Sequence, residues 1–269
     1  MIESLGSAHH SVRRLRRLIQ KRSDRWSDGV FVIEGPDLVA AALETGAAVE
    51  AIYIDEAALD IDEIKSLCIR GANAGVRIFS LANGVLEKVS DAMSPQPIMA
   101  SVRMNPVALS ELSKPEFVLV LHDIRDPGNA GTLIRSADAS GASAVILTGQ
   151  SVDPYNPKTL RATAGSVFRV PIVLAALDET VTTLKGLGVT VLATVVRGGI
   201  DSRTVNFRAP TAVVLGNESK GLTSPEVDLC SGSISIPMAG GAESLNAGIA
   251  GSLLAFAAFY QRLDTNTRG

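Results

Sequence analysis

Five segments in the second half of the chain, residues 117–121, 144–147, 189–194, 211–215 and 233–236, are rich in apolar residues and lack polar alternation. A strand with one solvated face alternates polar and apolar side chains. Short runs without that alternation predict strands buried on both faces, and therefore a parallel sheet covered by helices. Helical patterns at 132–139, 178–184 and 244–263 supply such cover. The first half reads as a smaller α/β layer. A helix is expected over 11–21, with Val12, Leu15, Leu18 and Ile19 on one stripe. Strands at 30–33, 49–54 and 76–79 then alternate with helices at 38–43, 61–69 and 81–89, the first of these opened by Pro36.

The proline-spaced stretch around Pro95, Pro97, Pro106 and Pro115, with a strand-like 98–102 inside it, marks a break. It divides the 269 residues into expected domains 1–105 and 106–269. Aromatics make up 4% of the chain, so the cores must be built largely from Ala, Val, Leu and Ile. Cys68 and Cys230 have no metal-ligand or CxxC spacing and are expected to be buried free thiols. With no signal-like leader and no apolar run of about twenty residues, a cytoplasmic protein without a membrane span is expected.

A net charge of −3 does not advertise a nucleic-acid binder, but its distribution is uneven. Arg13, Arg14, Arg16, Arg17, Lys21, Arg22 and Arg25 crowd the first 25 residues against only Glu3 and Asp24. The cluster reads equally as a phosphate-contacting face or as a solvated helix surface.

Three segments gather glycine and polar residues directly after expected strands, where ligands bind in a parallel α/β sheet. The first runs from Asp126 through Gly128, Asn129 and Gly131 to Arg135. The second is Leu215-Gly216-Asn217-Glu218-Ser219-Lys220-Gly221, in which Glu218 would be a costly charge at a strand end without a partner. The third is Ile236-Pro237-Met238 followed by Gly240, Gly241 and Glu243-Ser244-Leu245-Asn246, with Glu243 or Ser244 expected to start the terminal helix. Ile236, Met238 and Leu245 are suited to be apolar walls of an adenosine pocket. No GxGxxG follows the first strand and no glycine-rich loop ends in Gly-Lys-Ser/Thr, which disfavours dinucleotide binding and nucleotide hydrolysis. His9, His10 and His122 have no metal spacing, and His122 is read as a strand end.

Together and in this order, Asn129-x5-Arg135, Gly216-Asn217-Glu218-x-x-Gly221 and Ile236-Pro237-Met238 with Ser244-Leu245-Asn246 resemble the SpoU (TrmH-like) branch of the SPOUT methyltransferases. The stretches 153–158 and 161–165 are similar to the intermediate region of that family. The likeness is close from about Val118 onward and looser around Phe31, Glu34 and Gly35. It implies a trefoil-knotted, parallel-sheet methyltransferase domain preceded by a ribosomal-protein-like α/β substrate-binding domain, and a homodimer. It implies S-adenosylmethionine as methyl donor, held at Thr194, Leu215, Gly216, Asn217, Gly221, Ile236, Met238, Ser244 and Leu245, and no metal. The implied reaction is methylation of a ribose 2′-hydroxyl, with Arg135 central and Asn129, Glu218, Ser244 and Asn246 organising the site.

An accessory N-terminal domain with an arginine-rich helix in front favours a structured ribosomal RNA over transfer RNA as substrate, with Arg13, Arg14, Arg16, Arg17, Lys21, Arg22 and Arg161 as the candidate contacts. A transfer-RNA enzyme, an antibiotic-resistance enzyme and a non-catalytic RNA-binding assembly factor are the competing readings. The sequence departs from common family forms at His122, where Asp is frequent, and at Thr163, where Ser is frequent.

Overall fold

A computed structural model describes the backbone of residues 2–266 and side chains as far as residue 263. The chain forms two compact units. One runs to Asn105 and takes in Tyr155–Phe168; the other comprises Pro106–Pro154 and resumes at Arg169.

The first unit follows the order β1 (Glu3–Leu5), α1 (His10–Gln20), α2 (Arg22–Asp28), β2 (Val30–Glu34), α3 (Pro36–Glu44), β3 (Val49–Asp55), α4 (Asp62–Asn73), β4 (Arg77–Leu81), α5 (Leu86–Val89) and β5 (Ile98–Arg103). The sheet order is β1-β4-β3-β5-β2, with β5 antiparallel to both neighbours. Val12, Leu15, Leu18 and Ile19 of α1 are buried, as their spacing predicts. The helix expected over 81–89 is shorter. Leu81 completes β4 and Gly84 turns at φ +75°, so helix begins only at Leu86.

Arg25 leaves the expected basic face altogether. It is 3% exposed, and its guanidinium donates to the carbonyls of Leu18 and Ile19 at 2.8 and 3.2 Å. Those oxygens sit in the last turn of α1, where they lack helical partners, so a buried cation is well placed there.

The second unit begins with β6 (Phe117–His122), α6 (Pro127–Ala139) and β7 (Ala144–Thr148). Next comes α7 (Pro157–Thr163), within the segment that clusters with the first unit, where Tyr155 lies 4.6 Å from the Phe31 ring. Thr163 is buried there and its hydroxyl donates to the Leu160 carbonyl at 2.7 Å. The second unit then continues through β8 (Ile172–Leu174), α8 (Leu177–Gly186), β9 (Thr190–Thr194), β10 (Ile200–Asp201), β11 (Thr211–Leu215), α9 (Ser224–Leu229), β12 (Gly232–Ser235) and α10 (Ala247–Asn266).

Its sheet has the order β10-β12-β9-β11-β6-β7-β8, and every pairing is parallel. Strands β6, β7 and β11 are buried at every residue, which is why their sequences lack polar alternation. Because β12, β9, β11 and β6 are adjacent and parallel, the loops leaving their carboxyl ends open on one edge of the sheet.

Helix α10 starts later than expected. Asn246, not Glu243 or Ser244, caps it, its Oδ1 accepting the Ile249 N–H at 3.2 Å and its carbonyl the Ala250 N–H at 2.9 Å. The helix lies against α6 at Gly251, where a Cβ would collide with the side chains of Leu133 and Leu215. Cys230 is buried but Cys68 only half-buried, and both are free. Among the described residues no helix is long and apolar enough to cross a membrane.

Candidate active site

The loops after β9, β11 and β12, together with the first turns of α10, enclose a cavity of about 240 Å³. All nine positions expected to hold the methyl donor line it. Thr194 ends β9, and Leu215, Gly216, Asn217 and Gly221 follow from β11. Ile236, Met238, Ser244 and Leu245 come from the loop between β12 and α10. Sequence reasoning missed Val195, Val196, Lys220, Ala250 and Leu254 on the same wall. The last two belong to the face of α10 turned toward β11, and no local pattern distinguishes them from ordinary core.

The loop after β11 is tightly self-bonded. Asn217 Oδ1 accepts the N–H groups of Ser219 and Lys220 at 3.1 Å each, and its carbonyl accepts that of Gly221 at 2.8 Å. Its Nδ2 donates to the Asp123 carbonyl at 2.9 Å. Asn217 therefore shapes the loop as well as lining the cavity. Gly221 has φ +66°, and the returning backbone passes so close to Gly216 that a Cβ there would lie 2.5 Å from the Gly221 carbonyl carbon.

Glu218 finds the partners its position demands. It accepts the N–H groups of Arg125 and Asp126 at 3.2 and 3.0 Å and the Asn129 amide at 3.2 Å. Partial burial would raise its pKa, but these donors outweigh burial and hold the carboxyl below the usual carboxylate range. The group sits near the amino end of α6, where Asp126 caps the helix by accepting the Asn129 N–H at 2.7 Å and Pro127 opens its first turn. Asn129 is thus aimed by its backbone at one end and by Glu218 at the other.

Of the five residues expected to do chemistry, Glu218 and Ser244 line the cavity and Asn129 is bonded to Glu218. Asn246 caps α10. The amide oxygens of Asn246 and Asn129 both approach Gly248, 3.1 and 3.2 Å from where its Cβ would be. Arg135 stands apart. It is exposed on α6, is not on the cavity wall, and has no polar partner among the described residues. At about 100° per residue it points roughly 120° around the helix from Asn129.

His122 does more than end a strand. It is 9% exposed, with Nδ1 2.8 Å from Thr148 Oγ1 and Nε2 3.0 Å from Glu226 Oε1. No local signal announces a pairing across 104 residues. Among the described residues no cluster of His, Cys, Asp and Glu could hold a metal.

In the first unit, Arg13, Arg16, Arg17, Lys21 and Arg22 are exposed. Arg14 is engaged with Asp28 and Glu50 at 3.0 and 2.8 Å, and Arg161 with Asp91 at 2.9 Å and Glu34 at 3.8 Å. Glu34 is buried and Glu50 largely so, and these carboxylates occupy the two guanidinium groups.

Comparison with known proteins agrees with this geometry. Residues 116–256 match the SpoU rRNA Methylase family, and residues 9–100 match an MRM3-like substrate binding domain. A 23S rRNA (guanosine(2553)-2′-O)-methyltransferase, RlmP of Bacillus subtilis, is 31% identical over 88% of this chain and 92% of its own length. A 23S rRNA (uridine(2479)-2′-O)-methyltransferase of Streptomyces viridochromogenes is 31% identical over 93% of this chain and 89% of its own. The AdoMet-bound structure of an rRNA methyltransferase from Sinorhizobium meliloti superposes with a TM-score of 0.85 at 30% identity, over 96% of this chain and 97% of that one. With a family model covering more than half its length and a relative 31% identical over 88% of it, the chain belongs to the SpoU rRNA methylase family.

Proposed function

We propose that this chain methylates one ribose 2′-hydroxyl of large-subunit ribosomal RNA, using S-adenosylmethionine bound in the cavity at the carboxyl edge of the second sheet. The observation that carries this reading is the convergence of all nine expected donor positions on one cavity beside the locked Asn129–Glu218 pair. Leu215, Ile236, Met238 and Leu245 offer apolar walls to an adenine, and the loop backbones between them offer polar groups to its edge.

The bound donor supplies a sulfonium-activated methyl group, so the protein has to align the ribose oxygen in line and assist departure of its proton. Asn129, held by Asp126 and Glu218, fixes the amino end of α6, and Arg135 on the same helix holds the target ribose. A guanidinium gives up its proton too reluctantly to serve readily as a base, so positioning suits Arg135 better than proton abstraction.

Two features support a homodimer. Ile249, Leu253, Tyr260 and Leu263 are about half exposed along one face of α10, and a contiguous apolar helix face suits an association surface. Arg135, exposed and off the cavity wall, also needs a further surface to close the site around the RNA. The knot belongs to the same reading. Strand β12, the last in the chain, lies inside the sheet between β10 and β9, as a threaded C-terminal segment requires. A ribosomal RNA substrate goes with a cytoplasmic enzyme.

Incubating the protein and S-adenosylmethionine with unmodified ribosomal RNA, then digesting for nucleoside mass spectrometry, tests the function. A single 2′-O-methylnucleoside is the expected product. Product on transfer RNA alone would move the substrate, and none on either RNA would overturn the reading.

The exposed cations Arg13, Arg16, Arg17, Lys21 and Arg22 are the proposed RNA contacts in the first unit. Replacing Arg13, Arg16 and Arg17 with Glu is expected to weaken RNA binding and to flatten its salt dependence by about 0.7–0.9 in log–log slope for each phosphate no longer neutralised. An unchanged slope makes the cluster a solvated helix face.

A further inference from the structure

The cavity loop is gripped at both ends by two consecutive residues, and one of those grips is unassigned. At its start, Asn217 Nδ2 donates to the carbonyl of Asp123 at 2.9 Å. Beyond its end, Glu226 Oε1 meets His122 Nε2 at 3.0 Å, while Oε2 of the same carboxylate accepts the Thr223 N–H at 2.7 Å and so caps α9. Between these points Glu218 rests on Arg125, Asp126 and Asn129. The whole stretch from Asn217 to Glu226 is therefore moulded on residues 122–129.

The ring that makes the second grip has little freedom. A carboxylate only accepts hydrogen bonds, so Nε2 of His122 carries the proton, and in the neutral ring Nδ1 then accepts from the Thr148 hydroxyl at 2.8 Å. The imidazole also fills the space above Gly149, where a Cβ would lie 2.9 Å from its Cε1. Glu226 is held ready for this contact. Burial would raise its pKa, but the Thr223 donors and His122 keep the carboxyl below its usual range. Neither His122 nor Glu226 lines the cavity, although Gly216 to Gly221 between the two grips do.

We infer that His122 and Glu226 form a positioning pair that holds the loop after β11 in the shape that binds S-adenosylmethionine. This rests on the reading of the cavity as the methyl-donor site. The pair lies off the cavity wall and acts through the loop, so it acts on donor affinity and not on the chemical step. Without it, the amino end of α9 loses its polar tie to β6 and is held by the packing of Leu222 and Val227 on the core, while the loop keeps its Asn217 and Glu218 ties.

A double-mutant cycle on the full chain tests the pair, with calorimetric titration of S-adenosylmethionine and steady-state methylation of ribosomal RNA. His122→Ala is expected to raise the donor Kd about tenfold, the size of one missing charge-assisted hydrogen bond, and Glu226→Ala, which also loses the Thr223 cap, by at least as much. The double variant should be no weaker than the worse single one, with kcat at saturating donor within about twofold of wild type. His122→Gln, whose amide still donates to Glu226, should recover most of the affinity. If His122→Ala does not fold, Glu226→Ala carries the same expectation, since its side chain is 26% exposed.

A Kd within about twofold of wild type in the single variants, whatever their melting temperatures, reduces the pair to a helix cap and overturns the inference. Additive effects in the double variant, or a loss confined to kcat, also overturn it. Failure of the wild-type chain to bind the donor overturns the cavity assignment as well, and is thereby distinguished from failure of the pair alone.

Discussion

Arg135→Ala should lower methyl transfer by about 10²- to 10⁴-fold, the range for removal of a positioning or proton-transferring group, while donor affinity stays within about twofold of wild type. The separation follows from where the side chain lies. Arg135 is on α6 but off the cavity wall, so its truncation leaves the donor's surroundings intact. Among the described residues it has no polar partner to strand, and it is exposed, so stability should be little changed. What disappears is a charged, planar group able to grip two oxygens of a phosphate in parallel hydrogen bonds. Arg135→Lys keeps the charge without that geometry and should recover only part of the rate. Single-turnover methylation and donor calorimetry measure the two quantities separately. Unchanged turnover removes Arg135 from the mechanism, and a large rise in donor Kd assigns it to the cavity instead.

Gly216→Ala has the opposite signature. Its Cβ would sit 2.5 Å from the Gly221 carbonyl carbon and 2.6 Å from the Leu222 nitrogen. These are backbone atoms of the same tight loop, so no side-chain rotation relieves the clash and the cavity wall itself must move. Overpacking of this kind costs about 1–3 kcal/mol, which corresponds to roughly a 5- to 150-fold loss of donor affinity if the loop bears it. Gly251 makes a useful contrast. The nearest atoms to a Cβ there are side-chain carbons of the buried Leu133 and Leu215, which can shift more readily than backbone, so Gly251→Ala should cost less. Donor titration together with a thermal melt distinguishes the cases. A Kd within about twofold of wild type for Gly216→Ala would mean that the loop does not shape the donor site.

The motifs are easier to read than the interactions that make them work. Gly216, Asn217 and Gly221 stand out in the sequence because tight turns and positive φ favour glycine and asparagine locally. Their division of labour does not stand out. Asn217 reaches Asp123, and Glu218 reaches the amino end of α6 across 89 to 93 residues of sequence. Asn246 looks misplaced inside a helix and is instead its cap, because the helix begins three residues later than the apolar pattern suggests. Arg25 reads as one more surface cation until the turn into α2 brings it under the last carbonyls of α1.

Hydropathy and turn chemistry act over a few residues, and what they govern is legible here. The unbroken apolar runs require strands buried on both faces, the glycine-rich segments require loops at their carboxyl ends, and the order of the motifs points to the family. Strand order is settled by packing between segments far apart in the chain, and no local rule contains it. The arrangement β12-β9-β11-β6 brings three loops to one cavity. The same arrangement sets His122 against Glu226, while the packing of α6 leaves Arg135 exposed. Tyr155–Phe168, contiguous in sequence with the second unit, packs with the first because the Tyr155 ring has its aromatic neighbour Phe31 there.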